Sequence, residues 1–228
     1  MEFGLLAAAL VAVGTVRLVL AFEQGRTNPP ERTSAAWDAA IVAGLIGLGV
    51  GRIGAMLSGG TNPLAHPLDV VIIRGGVDTV PAVIGAVIAF TIVARHDLRA
   101  TADAVAPAVL AGLAGWHAAC FTRGACLGSA TDLPWAVGGP SGAGRHPVEV
   151  YAALLLAAAA LALILVKRRH PFAGVVAAVG FAAAAAARLA TEPMRLAIGS
   201  DLRWWYAAGT ALGIAGALSA WRFGVRRT

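Results

Sequence analysis

Residues 148–166 read VEVYAALLLAAAALALILV, a run of nineteen residues in which Glu149 is the only charged side chain. The hydrocarbon core of a bilayer is spanned by about 20 residues of α-helix. A strand of a membrane β-barrel would alternate apolar and polar residues over about ten positions, and this run does not alternate. The run therefore predicts a membrane-spanning helix.

Six further runs of similar length and composition lie along the chain, which is 58% hydrophobic and only 13% charged. Soluble domains carry about 25% charged residues, and disordered chains combine low hydrophobicity with high net charge, so both classes are excluded. We predict an all-α integral membrane protein with one transmembrane domain, residues 1–228, and a small head region of outer loops. Its seven predicted helices cover residues 3–22, 36–57, 77–94, 101–122, 148–166, 172–191 and 204–223.

The basic residues predict how these helices are oriented, because cytoplasmic loops carry an excess of lysine and arginine. The side where the odd-numbered helices end has ten: Arg26, Arg32, Arg95, Arg99, Lys167, Arg168, Arg169, Arg222, Arg226 and Arg227. The opposite side has six: Arg52, Arg74, Arg123, Arg145, Arg195 and Arg203. We therefore expect the C-terminus in the cytoplasm and the N-terminus outside. The first helix carries Arg17 and begins Met1-Glu2, which is not typical of a cleaved signal peptide.

The outer side holds most of the polar loop length, in segments 58–76, 123–147 and 192–203. Charged residues are costly beside a membrane and are retained for pairing or function. Guanidinium groups bind phosphate through a planar fork, so these arginines indicate a site for a phosphate-bearing ligand. The net charge of +6 is scattered over loops on both sides, so we do not expect a nucleic-acid partner.

The pattern Arg188-x-x-x-Glu192-x-x-Arg195 predicts three charges on one face of the sixth helix. One interpretation is an ion pair that only neutralises itself. The other is that Glu192 orients Arg188 toward an anion, and the pattern alone does not choose between them.

The segment from Arg123 to Tyr151 reads RGACLGSATDLPWAVGGPSGAGRHPVEVY. It contains TDLPWAV at 131–137 and RHPVEVY at 145–151. These resemble two motifs of the phosphatidylglycerol:prolipoprotein diacylglyceryl transferases, T-D-L-P-W-x-V and R-H-P-x-Q-L-Y-E, at the spacing of that family. Two motifs at matched spacing are a specific signal.

Further elements of the family pattern occur in order and extend the resemblance over residues 36–205. They are Gly47-x-Gly49-x-Gly51-Arg52, Asn62-Pro63 leading to Gly75-Gly76, and the pattern from Arg188 to Arg195. The resemblance implies seven helices, a bacterial inner (plasma) membrane location and a multi-pass topology. It also implies phosphatidylglycerol and the signal peptide of a prolipoprotein as partners within membrane lipid, with no cofactor and no metal.

The chain departs from the family pattern at several polar positions. Val80 stands where the family has the histidine of a His-Gly-Gly, and His117 stands where it has an arginine. Other replaced positions are Cys120, Arg123, Ala125 and Ala152.

Such enzymes transfer a diacylglyceryl group to a cysteine thiol, which requires a base for the thiol and cations for the departing phosphate. The candidate catalytic residues are His146, His117, Arg145 and Arg188: the two arginines stand at positions that match the family, and the two histidines are chosen because histidine titrates in the useful range. The candidate substrate-binding residues are Arg52, Arg123, Asp132, Tyr151, Glu192 and Arg195. Among these, His146 and then His117 are the expected bases, and Asp132 and Tyr151 are expected to position the loop.

Several alternatives remain open at this point. His146 precedes Pro147 and could cap a helix, and His117 could be a hydrogen-bonded interior histidine. Cys120 and Cys126 could form a disulfide or stay as two buried thiols. A paralogue with another acceptor, or a lipid-binding protein without catalysis, would also retain the arginines.

Overall fold

The computed structural model describes residues 2–71, 76–138, 142–169, 172–196 and 202–225. In these ranges the helices are α1 (Glu2–Glu23), α2 (Pro30–Ser58), α3 (Leu68–Val71), α4 (Thr79–Val93), α5 (Leu98–Ala118), α6 (Cys120–Arg123), α7 (Val148–Lys167), α8 (Val175–Thr191) and α9 (Arg203–Val225). A 3₁₀ turn, Glu192–Met194, follows α8, and two short strands, β1 (Val137–Gly138) and β2 (Gly144–Arg145), precede α7.

Each of the seven predicted segments overlaps one of the long helices, although the ends differ. Helix α2 begins at Pro30, six residues before its predicted start, because proline is well suited to the first position of a helix. The fourth segment, predicted to be helical over 101–122, is divided: α5 ends at Ala118 and the short α6 follows.

Helix α5 is the centre of the bundle and packs against α1, α2, α7 and α8. One buried cluster joins it to α7 and α8 through Leu110, Leu156 and Val176. A second joins it to α1 and α2 through Leu20 and Ala36. Helices α4 and α9 lie outside this core, against α2 and α8 respectively.

Successive long helices run in opposite directions, so the bundle has two polar ends. At one end, which we call the Lys167 end, the Lys167 ammonium lies 3.2 Å from a carboxylate oxygen of Glu23, and both side chains are buried. At the same end, the carboxylate of Asp103 accepts hydrogen bonds of 2.7 Å from the backbone N–H groups of Gly174 and Ala177. The opposite end, where α5 finishes and α7 begins, we call the Glu149 end.

Large apolar side chains cover much of the outer surface of the bundle, including Leu18, Leu45, Leu154, Leu161 and Leu212. A water-soluble protein rarely exposes so large an apolar surface. Among the described residues, four helical stretches are long and apolar enough to cross a membrane, and α4 is a shorter apolar helix. The protein is an all-α membrane protein.

Close contact between α2 and α4 depends on glycine. A Cβ atom at Gly47 would lie 2.8 Å from the carbonyl oxygen of Ala82 and 2.8 Å from the Cβ of Ala86. Small residues at such positions let the backbones of membrane helices approach and gain dispersion contacts. This packing holds the end of α2, with Arg52, beside the start of α4.

Candidate functional site

The Glu149 end contains a buried ion cluster built from the ends of several helices. His117 is the penultimate residue of α5, and Glu149 is the second residue of α7. Nδ1 of His117 lies 2.5 Å from Oε2 of Glu149, and both side chains are buried. The antiparallel packing of α5 against α7 brings these two residues together although 31 residues separate them in the chain.

Two arginines approach the other carboxylate oxygen of Glu149. Arg195 donates a hydrogen bond of 3.0 Å to Oε1. Arg188, on the last turn of α8, places a guanidinium nitrogen 3.9 Å from the same oxygen, and its guanidinium carbon lies 5.6 Å from the ring centroid of Tyr206. One carboxylate is therefore shared by an imidazole and two guanidinium groups.

The prediction that Arg188, Glu192 and Arg195 share one face of a helix is wrong. Helix α8 ends at Thr191, because Pro193 has no backbone N–H and its ring clashes with the preceding turn of an α-helix. The 3₁₀ turn then redirects the chain. Oε2 of Glu192 lies 3.8 Å from Nε of Arg195. Glu192 therefore contacts Arg195, whereas the sequence hypothesis had paired it with Arg188.

Three buried polar atoms at this end have no hydrogen-bond partner among the described residues. They are a terminal guanidinium nitrogen of Arg188, Nδ1 of His146 and Oε2 of Glu192. An unsatisfied buried donor or acceptor costs about 1–3 kcal/mol. A fourth such atom, Nδ2 of Asn28, lies at the Lys167 end. Three such groups close together are typical of a site that receives a polar ligand.

The loop before α7 carries the two predicted residues Arg145 and His146. Strands β1 and β2 pair antiparallel, with Val137 opposite Arg145. The loop docks on the turn after α8, since the N–H of Ser129 donates to the carbonyl of Met194 at 2.8 Å. A Cβ atom at Gly128 would collide with that same carbonyl, so glycine is required there.

Tyr151 contacts two residues of this loop. Its hydroxyl accepts a hydrogen bond of 2.8 Å from Nε1 of Trp135. Its ring contacts that of His146 edge-on, with 6.1 Å between centroids. Arg145 donates a hydrogen bond of 3.1 Å to the carbonyl of Gly128.

Cys120 and Cys126 form a disulfide, which resolves the alternatives left by the sequence. A continuous helix would separate the two side chains, but α6 ends at Arg123 and Gly124 adopts a left-handed conformation with φ of 64°. The carbonyl of Cys126 then accepts a hydrogen bond of 3.5 Å from the N–H of Glu149. The disulfide thus fixes the segment on which the start of α7 rests.

Arg52 and Asp132 lie outside the ion cluster. Arg52 is buried and donates to the carbonyls of Asp69 and Gly76, at 2.9 and 3.1 Å, so it ties the segment before α4 to α2. Asp132 is exposed on the loop. Arg123 ends α6, and its side chain is outside the described part of the structure.

Sequence reasoning missed Glu149, the residue at the centre of the cluster. A signal was present, because Glu149 is the only charged residue in the run 148–166 and an ionisable residue inside a membrane segment is a functional candidate by default. Among the described residues, no three His, Cys, Asp or Glu side chains form a group that could hold a metal ion.

A family model described as prolipoprotein diacylglyceryl transferase matches residues 1–224. The chain belongs to this family. The match confirms the resemblance found in the two motifs before and at the start of α7. It covers all the elements that build the ion cluster.

Several relatives named phosphatidylglycerol–prolipoprotein diacylglyceryl transferase are similar in sequence. The protein of Verminephrobacter eiseniae is 32% identical over 228 residues, which covers 89% of this chain and 79% of that protein. The protein of Mesorhizobium japonicum is 35% identical over 40% of this chain and 34% of its own length. The protein of Cupriavidus necator is 30% identical over 59% of this chain and 54% of its own length. The chain therefore spans only about a third to a half of the last two relatives.

Proposed function

We propose that this protein transfers the diacylglyceryl group of phosphatidylglycerol to the cysteine thiol of a prolipoprotein. The observation that carries the proposal is the buried cluster at the Glu149 end, in which an imidazole and two guanidinium groups meet at one carboxylate. This cluster supplies both requirements of the reaction, a proton acceptor and cations for phosphate.

The reaction forms one bond and breaks another at the same glycerol carbon. The sulfur of the acceptor cysteine attacks that carbon, and a C–S bond replaces the C–O bond to phosphate. The bonding electrons leave with the phosphate oxygen, which departs as glycerol phosphate. The proton of the thiol passes to a base, for which His117 and His146 are the candidates.

The phosphate would be held by guanidinium groups at the Glu149 end. The terminal nitrogen of Arg188 that lies 3.9 Å from Glu149 makes no hydrogen bond among the described residues, so it can donate one to a phosphate oxygen. Glu149 and Glu192 offset the charges of Arg188 and Arg195, so Arg145 on the adjacent loop supplies further positive charge. Arg52 and Arg123 take supporting positions, as do the loop residues Asp132 and Tyr151.

We further propose that all seven long helices cross the inner membrane of a bacterium, with the Glu149 end outside. Three features support this orientation. The basic turn at Lys167 suits the cytoplasm. The disulfide Cys120–Cys126 lies at the Glu149 end and suits an oxidising compartment. The acceptor cysteine belongs to a secreted precursor, which a site on the outer side would meet.

The test is to incubate the purified protein with phosphatidylglycerol and a peptide that contains a lipoprotein signal cysteine. Mass spectrometry should detect the thioether product, and a peptide with serine in place of cysteine is the control. Phospholipid binding without product would overturn the proposal and favour a lipid-binding role. Consumption of phosphatidylglycerol by another acceptor would favour a paralogous transferase.

A further inference from the structure

We propose that Glu149 is a positioning residue for the transfer reaction: it holds His117 in the tautomer and orientation in which Nε2 accepts the thiol proton. The proposal rests on the proposed function and adds to it the choice of base and the residue that prepares it.

The first step of the argument is the short contact between Glu149 and His117. An ionised carboxylate only accepts hydrogen bonds, so Nδ1 of His117 must be the donor across the 2.5 Å to Oε2. The proton of a neutral imidazole then resides on Nδ1, and Nε2 carries the lone pair. Nε2 has no hydrogen-bond partner among the described residues.

The second step concerns the charge state of Glu149. Its other oxygen, Oε1, receives a hydrogen bond from Arg195 and lies 3.9 Å from a guanidinium nitrogen of Arg188. These two cations stabilise the negative charge of a carboxylate that is almost inaccessible to solvent. Glu149 therefore remains an acceptor for His117 and stabilises the imidazolium that forms when Nε2 takes the proton.

The third step compares the two candidate bases. Nδ1 of His146 is buried without a partner, and the edge of its ring meets Tyr151. No carboxylate among the described residues contacts His146, so its tautomer is not fixed in this way. His117 is therefore the better candidate for the base, because the carboxylate of Glu149 fixes its tautomer and orientation.

The sequence gives a further observation. The family motif R-H-P-x-Q-L-Y-E has glutamine at the position of Glu149, and the family has arginine at the position of His117. Both positions differ in this chain, and the two replacements are in direct contact. Val80 occupies the position of a histidine in the family, so this chain has no imidazole at that position.

The test compares Glu149→Gln and His117→Gln with the unsubstituted protein in the thioether assay, at pH 7.0 and pH 9.5. General-base catalysis contributes about 10²- to 10⁴-fold, so turnover at pH 7.0 should fall by that factor in each variant. A cysteine thiol has a pKa of about 8.5 and ionises without help at the higher pH. The deficit should therefore shrink at least tenfold at pH 9.5, whereas a merely structural role would give a deficit that pH does not change.

The double variant Glu149→Gln/His117→Gln separates positioning from an independent role. Because Glu149 acts through His117, the double variant should be no slower than His117→Gln alone. Glu149→Asp, which keeps the carboxylate, should retain more turnover than Glu149→Gln. Asp103→Asn is the matched control, since it removes a half-buried carboxylate at the Lys167 end and should leave turnover unchanged.

The outcomes distinguish this inference from the proposed function. No thioether product from the unsubstituted protein overturns the transfer activity itself and the inference with it. Product from the unsubstituted protein, together with a pH-independent deficit or additive losses in the double variant, overturns the inference alone. If Glu149→Gln does not fold, the pH dependence of His117→Gln decides, because glutamine keeps an amide donor beside Glu149.

Discussion

At the scale of single residues, the carboxylate of Glu149 organises the site. A buried ion pair is weak evidence for stability, because apolar residues of similar size often stabilise a fold equally well. Retaining an acid, two arginines and a histidine at the end of an apolar bundle therefore argues for a chemical role. The buried guanidinium nitrogen of Arg188 that lacks a partner points in the same direction.

We predict that Arg188→Gln weakens binding of phosphatidylglycerol by about 10- to 100-fold. A hydrogen bond to a charged group contributes roughly 1.5–3 kcal/mol, which corresponds to that range of affinity. The measurement is lipid binding to the purified protein in detergent, with diacylglycerol as a ligand that lacks the phosphate.

The control for this prediction is Arg99→Gln, which removes an exposed arginine near the start of α5, at the Lys167 end. It should leave the affinity for phosphatidylglycerol unchanged. Equal losses in Arg188→Gln and Arg99→Gln would contradict a specific phosphate contact, as would equal losses for diacylglycerol.

At the scale of helices, close packing and buried pairs hold the bundle in register. We predict that Gly47→Ala destabilises the protein by about 1–3 kcal/mol, because the added methyl group meets the backbone and side chain of α4. Gly44→Ala is the matched control on the same helix, since a Cβ atom there has no neighbour within 4 Å. Thermal unfolding in detergent should separate the two variants, and equal midpoints would contradict the packing of α2 on α4.

The pair Glu23–Lys167 joins α1 to α7 and gives a second prediction at this scale. Lys167→Met leaves the carboxylate of Glu23 buried without its cation and should cost about 3–5 kcal/mol of unfolding free energy. The double variant Glu23→Gln/Lys167→Met should recover most of that loss, because neither charge remains buried. A double variant as unstable as Lys167→Met would show that the pairing is not the cause.

The positions of the long helices were largely predictable because each one coincides with a long run of apolar residues in the sequence. Their ends were not, because they depend on local backbone chemistry. Pro30 starts α2 early, and Pro193 ends α8 before the predicted charge pattern is complete. The break between α5 and α6 accompanies the disulfide Cys120–Cys126, whose formation the spacing alone left open.

The candidate site was only partly predictable for a related reason. The family pattern pointed to Arg188 and Arg195, and His117 was considered because it replaces an arginine of the family. It did not identify Glu149 as their common partner, since that contact joins residues on two different helices and appears in no local pattern. For the same reason, no local pattern indicated that Arg52 donates to the backbone carbonyls of Asp69 and Gly76.

At the scale of the whole molecule, an apolar surface separates two polar ends that differ in the arrangement of their charged and polar groups. The Lys167 end holds the Glu23–Lys167 pair, a carboxylate that caps α8 and one buried atom without a hydrogen-bond partner, Nδ2 of Asn28. The Glu149 end holds three such atoms, the ion cluster around Glu149 and a loop that is joined to α6 by a disulfide. This asymmetry is what a transferase needs if lipid and precursor meet on one side of the membrane only.

The proposed orientation can be tested with single introduced cysteines, since the two native cysteines are tied together in the disulfide. Leu64, in the loop after α2 at the Glu149 end, is 91% exposed, and Gln24, after α1 at the Lys167 end, is exposed too. A membrane-impermeant maleimide added to spheroplasts should label Leu64→Cys and leave Gln24→Cys unlabelled until the membrane is permeabilised. The opposite pattern would show that the protein has the inverse orientation in the membrane. Labelling of both variants before permeabilisation would mean that the two ends do not lie on opposite faces. With the expected pattern, the disulfide lies in the compartment that oxidises thiols, and the basic turn after α7 lies where the positive charge of inner-membrane proteins accumulates.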